Sequence, residues 1–109
     1  MDTKTKHTPS PPERTNLVAE VRAITRPRLD VPSLPSTLQR TETISGALRS
    51  LLAEFKSDER EAIRVMRRLG TRLLAEEPQG EPSPYTAWQH LVNLARCIEA
   101  LLDVDARSR

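Results

Sequence analysis

The residues with the widest chemical repertoire in this chain are His7, His90 and Cys97. Zinc needs its ligands about 2.0–2.3 Å from one ion. Cys97 follows His90 by seven residues; on a helix that puts the two on one face but about 10 Å apart along the axis. They cannot ligate one metal within a single chain, and the same gap rules out an intrahelical Cys–His nucleophile pair. His7 stands alone in a Pro-rich stretch. His90 therefore reads as a solvent-facing or half-buried structural residue, and Cys97 as a small residue on the polar side of its helix, beside Asn93 and Ala100. The carboxylates gather at helix ends, where capping and the macrodipole account for them. The three glycines are isolated, so no phosphate-cradling loop is present. No catalytic residue, metal site or cofactor site is expected.

One constellation remains, over residues 58–77. At 100° per residue Arg60, Arg64, Arg67, Arg68 and Arg72 share one half of a helix. Ala62, Val65, Met66, Leu69 and Leu73 share the other half, with Ile63 and Leu74 more peripheral. Glu61, Glu76 and Glu77 frame the basic strip; Arg64 can pair with Glu61 and Arg72 with Glu76, for a few tenths of a kcal/mol each. A helix that enters a DNA groove presents its N-terminal turn, which here is Asp58-Glu59-Arg60-Glu61 and would be repelled by phosphates. No spare aromatic side chains exist to stack bases. The strip thus suits an acidic protein partner better than nucleic acid, while a plain solvated face is the bland reading of the same pattern.

The elements that position this strip follow from composition. Nine prolines are present and six fall in residues 1–35, a region without any aromatic residue. It cannot bury enough apolar area to offset its ordering entropy, and reads as a disordered or extended arm. Within it, Leu17, Val21 and Ile24 recur at helical spacing, predicting a short helix near 16–25 that forms only when docked on its own domain or on a partner. Pro27 stops it. Residues 1–35 carry six basic against four acidic residues, whereas 36–109 carry eleven of each. The net charge of +2 therefore sits in the arm.

Three longer helices follow, over about 38–56, 58–77 and 84–104. Ser36 and Gln39 fit a capping box for the first, and Asp58 with Glu61 for the second. Ser83-Pro84 supplies an N-cap and a proline at N1 for the third. Gly46 is the weak point of the first helix: either the helix starts later, or the glycine permits a close approach. Trp88, Leu91, Val92, Leu94, Ala95, Ile98, Leu101 and Leu102 cover half the third helix, a face wide enough for two neighbours or a second subunit. Short loops between amphipathic helices imply an all-α, antiparallel three-helix bundle over 36–105, with a polar tail at 106–109.

A core of this size is marginal, and the lone cysteine excludes an internal disulfide and fits a reducing compartment. Without a secretory leader or an apolar run of about 18 residues, the expected location is cytoplasmic, with no membrane partner. The functional expectation is a small non-enzymatic interaction module: an adaptor, antiactivator or assembly factor. It would bind a protein through Leu17, Val21 and Ile24 of the arm and the arginines at 60, 64, 67, 68 and 72. Self-association would use Trp88, Leu91, Ile98 and Leu102. The second reading is a nucleic-acid accessory protein contacting phosphates through Arg22, Arg26 and Arg28 with Arg64, Arg67, Arg68 and Arg72.

Overall fold

The computed structural model describes residues 11–78 and 80–107. The expectations of disorder for residues 1–10, of a tail at 108–109 and of an isolated His7 lie outside them. The described chain is all-helical, but with four helices rather than three: α1 Pro11–Thr25, α2 Leu34–Glu54, α3 Glu61–Ala75 and α4 Pro84–Arg107.

The additional helix is the arm segment. The 16–25 stripe belongs to a 15-residue helix that packs along α4. Val21 and Ile24 are each 1% exposed, with Leu17 half-buried against the same core. Burying two such side chains yields about 1.5–3 kcal/mol each, enough to hold a segment too short to be helical alone. Residues 26–33 then cross to α2, with the Arg28 guanidinium 5.4 Å from the Trp88 ring centroid, a cation–π contact that closes the crossover.

Cross-helix pairs set the topology. Arg60 reaches Asp105, while Met66 and Gly70 lie against Cys97, so α3 runs antiparallel to α4. Arg67 reaches Phe55 and Gly70 faces Leu52, so α2 and α3 are antiparallel. Arg14 meets Asp105 at one end of the α1–α4 pair and Arg28 meets Trp88 at the other. The four helices therefore alternate up, down, up, down, and α4 contacts each of the others. This explains the breadth of its apolar face: Trp88, Leu91 and Ile98 are buried within the single chain. The side chains expected to mediate self-association are inside the monomer, except for half-buried Leu102 beside α1.

Two caps differ from expectation. α2 starts earlier because Ser33, not Ser36, is its N-cap; Ser33 Oγ accepts from Ser36 N at 3.4 Å, and Pro35 sits in the first turn, where its missing N–H is no loss. α3 starts after Arg60, because Asp58 instead accepts from the Arg60 N–H at 3.0 Å and turns the chain. The α4 start is as expected: Thr86 N donates to Ser83 Oγ at 3.1 Å.

α3 is also rotated. Ile63, expected at the edge, is fully buried, whereas Val65 is 44% exposed and Ala62 is exposed. Gly70 supplies the reason. A Cβ there would stand 3.2 Å from Leu52 Cδ2 and 3.5 Å from Cys97 Sγ, so the missing side chain admits α2 and α4 and draws the Ile63–Met66–Gly70 face inward. Neither alternative for Gly46 holds: α2 starts earlier and continues through it, and Gly46 is exposed with nothing near its Cβ position.

Candidate functional site

Cys97 and His90 both lie deeper than their spacing suggested. Cys97 is not on a polar side; it is 2% exposed, faces α3, and its thiol donates to the Met66 carbonyl at 3.9 Å. Burial pushes the thiol up to about 11, which leaves little thiolate near neutrality. His90 is 9% exposed and borders a cavity of about 70 Å³ beneath the α3–α4 loop, with Thr41, Glu77 and Pro78. Its Nε2 has no hydrogen-bond partner among the described residues. Desolvation holds the imidazole below its ordinary 6.5, against the opposing fields of Glu77 and Glu76. No group of three potential metal ligands occurs among the described residues.

The densest charge cluster lies at the other end of the bundle. Arg60 donates from Nη2 to Asp58 Oδ2 at 2.5 Å and to Asp105 Oδ1 at 2.9 Å. Arg14 pairs with Glu54 at 2.5 Å and with Asp105 at 3.7 Å. The cluster ties α1, the end of α2, the α2–α3 turn and the end of α4 around a carboxylate that is only 7% exposed. Hydrogen bonds from Arg60 lower Asp58 to about 2. Alternating signs neutralise each charge locally, so the cluster clamps the four segments together.

The five α3 arginines divide into two sets. Arg60 belongs to the clamp. Arg67 turns back to the α2–α3 turn, its Nη1 donating to the carbonyls of Phe55 at 2.9 Å, Lys56, and Asp58 at 3.5 Å, the first of which also accepts from the Asp58 N–H. Arg64, Arg68 and Arg72 point outward and are exposed. Arg64 approaches Glu61 at 3.9 Å and Arg72 approaches Glu76 at 3.8 Å. Arg68 forms no ion pair among the described residues. With Val65, Leu69, Thr71, Ala75 and the half-buried Arg67 these three line a shallow groove along the outside of α3. Rotation of the helix thus adds an apolar contribution, Val65, that a two-sided reading assigned to the core.

The remaining expected binding residues are elsewhere. Val21 and Ile24 are core, and Leu17 packs against it; Arg28 is engaged by Trp88 and lies 3.9 Å from Asp30. Arg22 faces a cleft between α1 and α4 with Arg96, Glu99 and Asp103. Arg22 and Arg28 are thereby carried on the α4 side. Sequence reasoning missed the Asp105 clamp, although a signal existed: Asp105 continues the 98, 101 stripe at helical spacing, an acid on an apolar face. The buried Thr37, Thr41 and Ser45 were hidden by an apolar-only search of α2.

No protein-family model, curated protein or solved structure matches this chain.

Proposed function

We propose that the chain is a small non-enzymatic helical interaction module whose docking face is the outer side of α3. One observation carries the reading: Arg64, Arg68 and Arg72 stand exposed in a row beside 44%-exposed Val65, while the other two arginines of the helix are tied inward. Guanidinium groups on a rigid helix, with apolar atoms between them, suit a protein surface bearing carboxylates. Most of the bundle's apolar helix surface is consumed by its own core, so the module presents charge-directed specificity rather than a large greasy patch. Among the described residues no helix is long and apolar enough to cross a membrane. Nucleic acid is the weaker occupant of the same row, because exposed Glu61 and Glu76 bracket it and would repel a continuing phosphate backbone.

The test is site-specific. A photo-crosslinking residue at Thr71 in the full-length chain, expressed in its own host, captures a discrete protein. Replacing Arg64, Arg68 and Arg72 together by glutamate abolishes that capture, while the purified variant keeps the wild-type helical spectrum. Capture that persists in the charge-reversed variant, or recovery of nucleic acid alone, overturns the reading.

A further inference from the structure

We propose that the occupant of the α3 groove is an amphipathic helix of another protein with an acidic centre and basic ends. This rests on the docking face proposed above and specifies what fits it. The row Arg64–Arg68–Arg72 repeats every four residues, hence about 6 Å along α3. Val65 and Leu69 form a second, parallel row of the same repeat. Two such i±4 ridges accept the i±4 ridge of a facing helix. The complementary ridge is three carboxylates at four-residue spacing, with an apolar row beside them to cover Val65 and Leu69.

An extended acidic peptide could match the arginine spacing, since alternate side chains of a strand stand about 6.6–6.8 Å apart. It would, however, lay its backbone N–H and C=O groups over a helix face. Among the described residues the fold has no strand and hence no sheet edge to pair with them. A helix satisfies its own backbone.

The ends of the groove set the length and the flanking charge. Glu61 and Glu76, with exposed side chains, bracket the row about 22 Å apart. Carboxylates extending beyond the central three would meet them and be repelled, whereas Lys or Arg at each end of the partner helix would be welcomed. The occupant is thus a basic–acidic–basic segment of about four turns. Because the acid–base–acid pattern of α3 is nearly symmetric, charge alone permits either direction of docking. A second copy of the chain is a poorer occupant: α4 offers two carboxylates at four-residue spacing, Glu99 and Asp103, and the next position of that row is Arg107, which pairs with Asp103.

Three labelled peptides test this on the full-length protein by fluorescence anisotropy at about 50 mM salt, where the Debye length exceeds 10 Å. The first carries three glutamates four apart, an adjacent leucine row and lysines at both ends. The second has the same composition scrambled. The third is the first with a central proline that prevents the helix. The expected result is binding of the first at least about tenfold tighter than the others, lost about tenfold in Arg68→Glu and partly recovered when the facing glutamate is changed to lysine. Equal binding of the scrambled or proline peptide overturns the helical pattern while leaving an acidic protein partner at α3 standing. Preference for a DNA duplex, or concentration-dependent self-association that Arg68→Glu abolishes, overturns the proposed occupant. Binding of none of the peptides also overturns it, and capture at Thr71 then decides the broader reading separately.

Discussion

Arg67 donates from Nη1 to the carbonyl oxygen of Phe55 at 2.9 Å, so a side chain of α3 finishes the end of α2. Charged donors to carbonyl oxygens contribute about 1.5–3 kcal/mol when partly buried, and here one group serves successive carbonyls. Arg67→Ala should therefore lower unfolding stability by about 1–2 kcal/mol. Arg68→Ala, one residue on but facing solvent, should change it by less than about 0.5 kcal/mol. Urea titration of the two variants checks this; equal effects would mean that the arginines were not divided as described.

The two helical glycines should respond in opposite ways. Gly46 has open space where a Cβ would go, so Gly46→Ala removes backbone entropy without a clash and should stabilise by about 0.5–1 kcal/mol. Gly70→Leu would drive its side chain into Leu52 and Cys97, and should destabilise by about 1–3 kcal/mol through overpacking. Thermal melts of both variants provide the comparison.

What the sequence made legible was periodic and local. The 3.6-residue stripe of α4 and its Ser83-Pro84 start were readable because each signal lies within a few residues. The i, i+3 and i, i+4 pairs of Arg64 and Arg72 on α3 were readable for the same reason. The direction in which α3 turns was not, because it depends on Gly70 meeting Leu52 and Cys97, residues distant in the chain. The fourth helix illustrates the same limit. Leu17, Val21 and Ile24 showed a stripe, but propensity says only that such a segment needs a partner; that the partner is α4 is a tertiary fact. Arg60 and Arg67 looked equivalent to Arg64 and Arg68 on a helical projection, yet their acceptors lie on other elements.

Buried His90 gives the fold a pH dependence with a defined sign. Its folded-state affinity for protons is below the ordinary value of 6.5, so the unfolded chain binds the proton more readily. Stability is thus fully present above about pH 6.5 and falls as the pH drops toward the lowered folded value. His90→Gln, which cannot charge, should flatten the fall in melting temperature between about pH 7.5 and 5.5. A second loss belongs to Asp58, lowered from 3.8 to about 2 by Arg60. Its contribution is present above about pH 4 and disappears as the pH falls toward 2. Asp58→Asn should remove that acid step and leave the His90 step in place.

Cys97 predicts the opposite limb. The unfolded thiol ionises near 9, whereas the buried one holds its proton to about 11. Stability therefore declines as pH rises from about 9 to 11. Near neutrality the same burial should make alkylation by iodoacetamide slower than in the denatured chain by at least about a hundredfold. Labelling followed by mass spectrometry checks it. Rapid labelling of the native protein would mean that α3 does not cover the thiol.

The last prediction concerns α1, because the arm and the core readings of this segment diverge on it. A loosely attached arm could lose its apolar side chains with no effect on the bundle. Ile24 is 1% exposed within the α4 interface, so Ile24→Ala should leave a cavity and cost about 2–5 kcal/mol, a large part of the stability of a domain this small. Arg14→Ala should cost less, since its ion pairs with Glu54 and Asp105 are partly solvated, and its effect should shrink as salt is raised. Hydrogen exchange separates the two modes of failure. If α1 is integral, Ile24→Ala lowers protection in α1 and α4 together, because one interface is lost from both sides. Loss confined to α1, with α4 amides unchanged, would show that α4 keeps its core without it.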